Sequence, residues 1–190
     1  MTSAAHNGEN GAGRLSWVPI RGRWEENAAA GPIYRGSESA PGLIVSNQPL
    51  QNGTCRVRIR LASGVKESAG IVIGYSVDER PYAYAELGGW GRAYSLAELR
   101  VNSWTLLKGV GTRDILLPDR EYQLELRLKG QEVRVLVDEV PVIEYLLPNP
   151  LAGKHVGLLG FGDGPTSFNQ FQVDDARPLR IRSHGVPGDL

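Results

Sequence analysis

Alternating apolar and polar residues predict several β-strands in this chain. Every second residue is apolar in the runs 56–61, 122–129 and 132–138. A period of two places the apolar side chains on one face of a strand and the polar side chains on the other. We therefore expect three half-buried strands that share one core. The residues on their apolar faces are Val57, Ile59, Leu61, Leu124, Leu126, Leu128, Val133, Val135 and Val137.

Short turns connect the second and third of these runs to each other and to a fourth run. Gly130 and Gln131 alone separate the second run from the third, and glycine at the first central position suits a type II′ hairpin turn. A further tight turn at Asp138 and Glu139 leads to the apolar run 140–145. We expect these runs to form consecutive antiparallel hairpins.

Other short strands are expected throughout the chain, at 22–26, 33–36, 42–46, 69–77, 82–87, 93–101, 104–108, 155–160 and 168–173. Pro141 lacks a backbone N–H, so its strand is expected to start there or to lie at a sheet edge. Phe168 and Phe171 are three residues apart, which predicts a β-bulge or an irregular start to this strand that turns both rings into the core. No convincing helical period appears, and the fold class is therefore all-β: a two-sheet antiparallel sandwich.

Length and charge limit the number of domains and the classes of binding partner that the chain can have. A chain of 190 residues suits one domain, and 41% hydrophobic residues suffice for a core. The 21 basic residues balance 21 acidic ones. This balance argues against a dedicated nucleic-acid binder or a polybasic membrane-surface protein, because both need excess positive charge. Composition predicts a flexible N-terminal tail at 1–14, a β-sandwich at 15–174 and a C-terminal tail at 175–190.

Cysteine content and the ends of the chain bear on its environment. Cys55 is the single cysteine, which excludes an intrachain disulfide and a cysteine-based zinc site. We expect it to be a small buried residue, and we expect no metal and no cofactor. The chain starts without a secretory signal pattern, and no apolar run approaches the ~20 residues of a transmembrane helix. We therefore expect a cytoplasmic protein without a membrane partner.

The order of several short motifs adds a family resemblance. They are Gly22-Arg-Trp24, Gly70-Ile-Val72, Tyr82-Ala-Tyr84, Trp104-Thr-Leu-Leu107, Val135-Leu-Val-Asp138, Val156-Gly-Leu158 and Phe168-Asn-Gln-Phe-Gln-Val173. In this order they resemble the concanavalin A-like lectin/glucanase superfamily, in particular laminin-G-like modules and a family-16-glycosidase-like domain of unknown function. The resemblance covers about residues 20–174 and implies a jelly-roll sandwich of two curved sheets. It leaves function open, because this fold hosts lectins, glycosidases and interaction modules.

Two departures from the family pattern concern chemistry. Where the resemblance implies an aspartate that helps to bind structural calcium, this chain has Asn169, so we expect no tightly bound calcium. The Glu-x-Asp-x-x-Glu strand of retaining glycosidases on this fold is absent, because no glutamate has an aspartate two residues later. Glu86 and Glu98 could meet from neighbouring strands, but we interpret both as surface charges.

A group of aromatic and charged residues in the middle of the chain is the candidate site. In the run 82–87, alternation places Tyr82, Tyr84 and Glu86 on one face and small apolar residues on the other. The small residues suit a packed core, so the tyrosines are expected to face solvent. The run 56–61 is expected to be a neighbouring strand that also turns its arginines, Arg58 and Arg60 among them, outward. Glycines then place Trp90 at a hairpin tip. The candidate ligand-binding residues are Arg58, Arg60, Tyr82, Tyr84, Glu86, Trp90, Arg92 and Tyr94, and no catalytic residue is assigned.

This group fits two kinds of ligand. Aromatic faces stack on sugars while polar groups bind hydroxyls, and exposed Tyr, Trp and Arg are also typical of protein interfaces. We predict a non-catalytic binding module for carbohydrate. A protein-interaction or assembly module, which includes a homo-oligomer, is the first alternative, and a glycoside hydrolase with a non-standard site is the second. The residues interpreted as structural are Trp17, Trp24, Trp104 and Tyr122.

Overall fold

The protein is described by a computed structural model that covers residues 15–27, 31–36, 41–61, 67–78, 81–100 and 103–175. Apart from Asp175, both predicted tails lie outside the described residues. The strands are β1 (Trp17–Arg21), β2 (Trp24–Asn27), β3 (Gly31–Tyr34), β4 (Gly42–Pro49), β5 (Asn52–Arg60), β6 (Ser68–Tyr75), β7 (Tyr82–Leu87), β8 (Tyr94–Leu99), β9 (Trp104–Val110), β10 (Glu121–Lys129), β11 (Glu132–Val137), β12 (Val140–Leu146), β13 (His155–Phe161) and β14 (Thr166–Asp175).

The strands form two seven-stranded sheets. The order of the first sheet is β1-β4-β13-β6-β7-β8-β9, and that of the second is β12-β11-β10-β5-β14-β3-β2. All strand pairs in the described part of the chain are antiparallel. The predicted all-β, two-sheet jelly-roll sandwich is confirmed. The described helical segments are two single 3₁₀ turns, and no described helix is long and apolar enough to span a membrane.

The core between the sheets contains the alternating faces that the sequence predicted. All nine residues of those faces are buried in one cluster. Leu126 of β10 lies opposite Cys55 of β5 and Val135 of β11, which places it at the centre of the second sheet. Cys55 is buried as expected, and burial raises the pKa of its thiol.

The structure also contains the irregularities that the sequence predicts in β14 and β12. The register of β14 against β5 shifts between Asn169 and Gln172, and Gln170 has a positive φ of 52°. This bulge buries Phe168 and lets Phe171 pack against the core. Pro141 lies in β12, at the edge of the second sheet, next to a register shift.

The turn between β11 and β12 contains two non-glycine residues in left-handed conformations. The φ angles of Asp138 and Glu139 are 49° and 69°. The Asp138 carboxylate accepts the Gln123 N–H (2.9 Å) and a hydrogen bond from Arg120 (2.7 Å), so this side chain stabilises the turn. Glu139 is exposed, and a left-handed conformation is costly for a residue with a Cβ.

Replacing Glu139 with glycine is therefore expected to raise the free energy of unfolding. The gain should be about 0.5–1 kcal/mol, because relief of left-handed strain exceeds the entropy that glycine adds to the unfolded chain. Urea denaturation of the two proteins measures it. Glu132→Gly, at an exposed position within β11, is the control and should be destabilising. Equal or lower stability of Glu139→Gly would contradict the strain argument.

The first sheet is strongly curved, with its outer face concave. Its two edge strands are β1 and β9, which would be roughly 29 Å apart in a flat sheet with strands ~4.8 Å apart. The Arg21 guanidinium nevertheless lies over the Trp104 ring, 5.9 Å from its centroid. The concave face has its own apolar cluster, which consists of Leu43, Val45, Val72, Tyr75, Tyr82, Tyr84, Ala97 and Leu159, with Leu99 and Trp104 packed against it.

Candidate functional site

A cleft of about 490 Å³ opens on the concave face of the first sheet. Four aromatic rings and one carboxyl group face it, together with glycine backbone and a guanidinium group. We call it the aromatic cleft. Its lining residues are Pro41, Ser68, Tyr84, Glu86, Gly88, Gly89, Trp90, Gly91, Trp104, Arg113, Leu159 and Phe161.

Glu86 is the carboxyl group at the base of the aromatic cleft. It follows Tyr84 on the outer face of β7 and is only 4% exposed. The Ser95 hydroxyl donates to its Oε1 (3.1 Å) from the neighbouring strand β8, and Ser68 and Trp90 also donate to the carboxyl group. Burial raises the pKa of Glu86 to about 7, although these donors and the Arg113 charge oppose the increase. The group therefore changes its charge near neutral pH.

The segment 88–91 carries Trp90 over Glu86, and its shape depends on glycine. Gly88 and Gly91 have φ angles of 79° and 68°, and Trp90 itself has a φ of 59°. Gly89 lies directly on the Glu86 carboxyl group, because a Cβ added there would overlap it. The segment can therefore pack this closely only without a side chain at position 89, and it leaves the Trp90 side chain 46% exposed at the cleft mouth.

Tyr84 and Trp104 form a second aromatic part of the cleft. Their rings meet edge to face, with centroids 5.4 Å apart. Tyr84 is buried beneath, whereas Trp104 is half-buried on the edge strand β9. Burial and the nearby Glu86 carboxyl group raise the pKa of Tyr84, so its hydroxyl stays protonated at neutral pH.

Arg113 is the positively charged lining residue. It starts the 3₁₀ turn after β9, and its Nη1 donates to the Gly88 carbonyl at the start of the Trp90 segment. Glu67 and Glu86 both attract its charge, while partial burial lowers its pKa. Glu67 is buried, and its Oε2 has no hydrogen-bond partner. Arg113 thus links the Trp90 segment to two carboxyl groups.

Comparison with known proteins identifies the architecture. No protein-family model and no curated protein matches the sequence. A carbohydrate-binding module, CBM66, from Bacillus subtilis superposes with a TM-score of 0.72 at 14% identity, over 84% of this chain and 95% of that one. The chain has the concanavalin A-like fold.

Two further solved structures share this concanavalin A-like fold. A β-glucanase from Bacillus licheniformis matches with a TM-score of 0.59 at 10% identity, over 84% of this chain and 92% of that one. A galectin from Caenorhabditis elegans matches with a TM-score of 0.53 at 14% identity, over 75% of this chain and 95% of that one. Identities this low establish the fold, and the resemblance inferred from the sequence motifs is confirmed at that level.

The structure brings three of the sequence-predicted site residues together in the aromatic cleft: Tyr84, Glu86 and Trp90. The predicted faces of β7 are correct, because the alternate small residues pack in the core between the sheets. The expected exposure of the tyrosines is wrong. Tyr82 and Tyr84 are 1% and 3% exposed, since the concave face has its own apolar cluster. Tyr82 packs against Tyr75, with ring centroids 5.5 Å apart, beside the cleft.

Arg58 and Arg60 lie on the other side of the molecule. Both belong to β5, which pairs with β10 and β14 in the second sheet and not with β7. Arg58 forms an ion pair with Glu121 (3.2 Å) on the outer face of that sheet. The expectation that these arginines flank the tyrosines is therefore wrong, because β5 and β7 belong to different sheets.

Arg92 and Tyr94 lie close to the cleft in sequence but do not line it. The Arg92 side chain is exposed and runs along Gly109. Tyr94 is paired with Leu87 on β7, which turns its ring toward the core between the sheets. Glu98 also points to the inner face, opposite Ala83, and binds Arg100 (2.5 Å). Glu86 and Glu98 therefore do not form a carboxylate pair, and their buried positions correct the interpretation as surface charges.

Sequence reasoning missed several lining residues. Trp104 was interpreted as core, and Phe161 and Arg113 were not singled out. The pairing of β9 with β8 sets Trp104 opposite Leu99 on the concave face, and this pairing is a tertiary feature that alternation within one strand does not give. Trp24 and Trp17 do have structural contacts, because Trp24 packs against Tyr34 and Phe168 and Trp17 packs against Phe171. The buried Tyr122 accepts the Leu117 N–H (2.7 Å).

A bound metal ion would need a group of side chains that can hold it. Within the described ranges, no cluster of three or more His, Cys, Asp or Glu residues could hold a metal ion. The Asn169 amide nitrogen donates to Glu121 (3.4 Å). The absence of tightly bound calcium is a prediction that chelation during thermal unfolding can test.

Proposed function

We propose that this protein is a carbohydrate-binding module and that the aromatic cleft holds the sugar. The observation that carries the proposal is the arrangement of Trp90, Trp104 and Tyr84 around the buried carboxyl group of Glu86. A sugar ring has an apolar face of C–H groups and a rim of hydroxyl groups. It therefore needs flat aromatic surfaces together with a few well-placed hydrogen-bonding groups.

The cleft supplies both kinds of contact. Trp90 is exposed enough to stack on a sugar ring. Trp104 lies on β9, the edge strand of the first sheet, two strands away from Tyr84 on β7. Glu86 and Ser68 lie at the base, where they can accept or donate hydrogen bonds to hydroxyl groups. The volume of about 490 Å³ falls in the range of small-molecule sites, and it suits a short sugar segment.

The proposed role is binding without catalysis. Hydrolysis of a glycoside generally requires two carboxyl groups, about 5 Å or 6.5–9.5 Å apart, on either side of the bond. Among the described residues that line the aromatic cleft, Glu86 is the one acidic residue. Glu98 lies on the opposite face of the sheet. A single carboxyl group that is embedded among hydroxyl donors suits ligand binding better than acid–base chemistry.

The names of the matching structures are compatible with this proposal. They include a carbohydrate-binding module and a galectin as well as a glucanase. The similarity concerns their fold, and the proposal for this chain depends on its own cleft residues.

Trp90→Ala is expected to abolish most sugar binding with little loss of stability. Trp90 is 46% exposed, so its removal should cost about 1 kcal/mol of unfolding free energy, mainly through the lost hydrogen bond to Glu86. As a central aromatic contact, it should contribute at least ~1.4 kcal/mol to binding, which is a tenfold change in Kd. A glycan array identifies a ligand, and titration calorimetry then compares wild type and variant.

Ile115→Ala is the matched control for this experiment. Ile115 is 53% exposed and lies in the same turn as Arg113, but it does not line the cleft. Its replacement should leave the Kd unchanged. The proposal fails if folded wild-type protein binds no glycan on the array, or if Trp90→Ala binds as tightly as wild type.

A further inference from the structure

The Trp90 segment has the structure of a flap. We define the flap as residues 88–91, three glycines and Trp90 between β7 and β8. Gly88 and Gly91 take left-handed backbone conformations on either side of Trp90. A Cβ added at Gly91 would meet no atom within 4 Å, so the outer side of the flap is free of packing. Gly88 is buried and its N–H donates to the Ala93 carbonyl (2.9 Å), so the start of the flap is fixed. Glycine's wide conformational range permits rotation at the tip, next to Trp90, through Gly91.

Two side-chain attachments hold the flap, in addition to the backbone hydrogen bond from Gly88 to Ala93. At its start, Arg113 Nη1 donates to the Gly88 carbonyl. At its tip, the Trp90 indole N–H donates to the Glu86 carboxyl group and to the Tyr84 oxygen. Glu86 is therefore in contact with the flap through both the Gly89 backbone and the Trp90 side chain. These contacts hold the Trp90 side chain at the mouth of the aromatic cleft.

We propose that the Glu86 carboxylate is a latch for the flap, so that uptake of a proton by Glu86 releases the Trp90 indole from its position at the mouth of the aromatic cleft. The proposal rests on the proposed function only in that the flap lines the suggested sugar site. An ionised carboxylate accepts an N–H bond about twice as strongly as a neutral group does. The ionised form also attracts the Arg113 guanidinium, which holds the other attachment.

The surroundings of Glu86 define the direction and pH range of this change. Tyr84 on the same strand stays protonated, and Ser95 of β8 and Ser68 of β6 are neutral donors. The charged groups are Arg113 on the 3₁₀ turn and Glu67 just before β6, which faces Arg113. Because burial raises the pKa of Glu86 to about 7, the latch is closed above neutral pH and released below it.

Acrylamide quenching of tryptophan fluorescence tests the latch on the free protein. We expect the quenching constant of Trp90 to rise about twofold as the pH falls from about 8.5 to 5.5, with a midpoint near pH 7, since the latch bond is charge-assisted only in the ionised form. Trp90→Phe isolates the signal, because it retains Trp17, Trp24 and Trp104 and should lose the pH step. Glu86→Gln should give quenching that does not change with pH. Circular dichroism across the same range must show an intact fold.

Glu144→Gln is the matched control, since Glu144 is an exposed carboxylate on β12 and its loss makes the same charge change. It should keep the wild-type step. A quenching constant that is flat with pH in wild type overturns the proposal even if Glu86→Gln does not fold. A step that persists in Glu86→Gln or in Trp90→Phe overturns it too. Because no ligand is present, failure to bind sugar would refute the proposed function without affecting this result.

Discussion

Leu126→Ala is expected to lower the free energy of unfolding by about 2–5 kcal/mol, because the substitution removes buried methyl groups and leaves a cavity in the core. Leu126 is fully buried between Cys55 and Val135 at the centre of the second sheet. Close-packed strands on both sides leave little room for the backbone to relax into the space. Equilibrium denaturation with urea measures the change.

The control for this prediction is Leu146→Ala. Leu146 is 66% exposed at the edge strand β12, so its replacement should change stability by less than ~0.5 kcal/mol. A cost at Leu126 no larger than at Leu146 would show that the two sheets do not pack as described.

Glu86→Gln is expected to become progressively more stable than wild type as the pH rises. In the folded protein the pKa of Glu86 is raised from 4.5 to about 7. The native state therefore keeps a proton that the unfolded chain loses first. Stability from this group is fully present below about pH 4.5 and is lost as the pH rises to about 7. At 1.36 kcal/mol per unit of pKa, the difference between variant and wild type should shift by about 3 kcal/mol.

Urea denaturation of both proteins at about pH 4 and about pH 8 measures this shift. Glutamine has nearly the same shape as glutamate and can still accept hydrogen bonds from Ser68 and Ser95, so packing is preserved. Glu144→Gln removes an exposed carboxylate and should show no comparable pH dependence. A constant difference between Glu86→Gln and wild type would mean that Glu86 titrates normally in the folded protein.

The concave sheet connects the fold with the proposed function. Curvature brings the edge residues Arg21 and Trp104 into contact, and Trp104 packs against Tyr84 in the aromatic cleft. A flat sheet would expose these residues to water. The same burial makes Glu86 titrate near neutral pH, so the shape of the sheet determines both the aromatic surface and the charge at its base.

The period-two pattern by itself determined the strands, the faces and the core. Val57, Leu126 and Val135 are buried where alternation placed them, and the bulge at Phe168 and Phe171 follows from their spacing. The pattern also identified Tyr84, Glu86 and Trp90, because they share one face or follow it directly. These features depend on neighbours in sequence, and a strand's side-chain direction is a local property.

Only the tertiary structure decided which strands are neighbours. The sequence predicts Arg58 on a strand next to Tyr84, but the crossovers of the jelly roll place β5 in the second sheet and β7 in the first. Trp104 and Arg113 line the cleft from β9 and the 3₁₀ turn after it, which come later in the chain than β7. The burial of Tyr82 results from the curvature of the whole sheet. Alternation assigns a side chain to a face, whereas strand order and curvature depend on contacts between residues far apart in the chain.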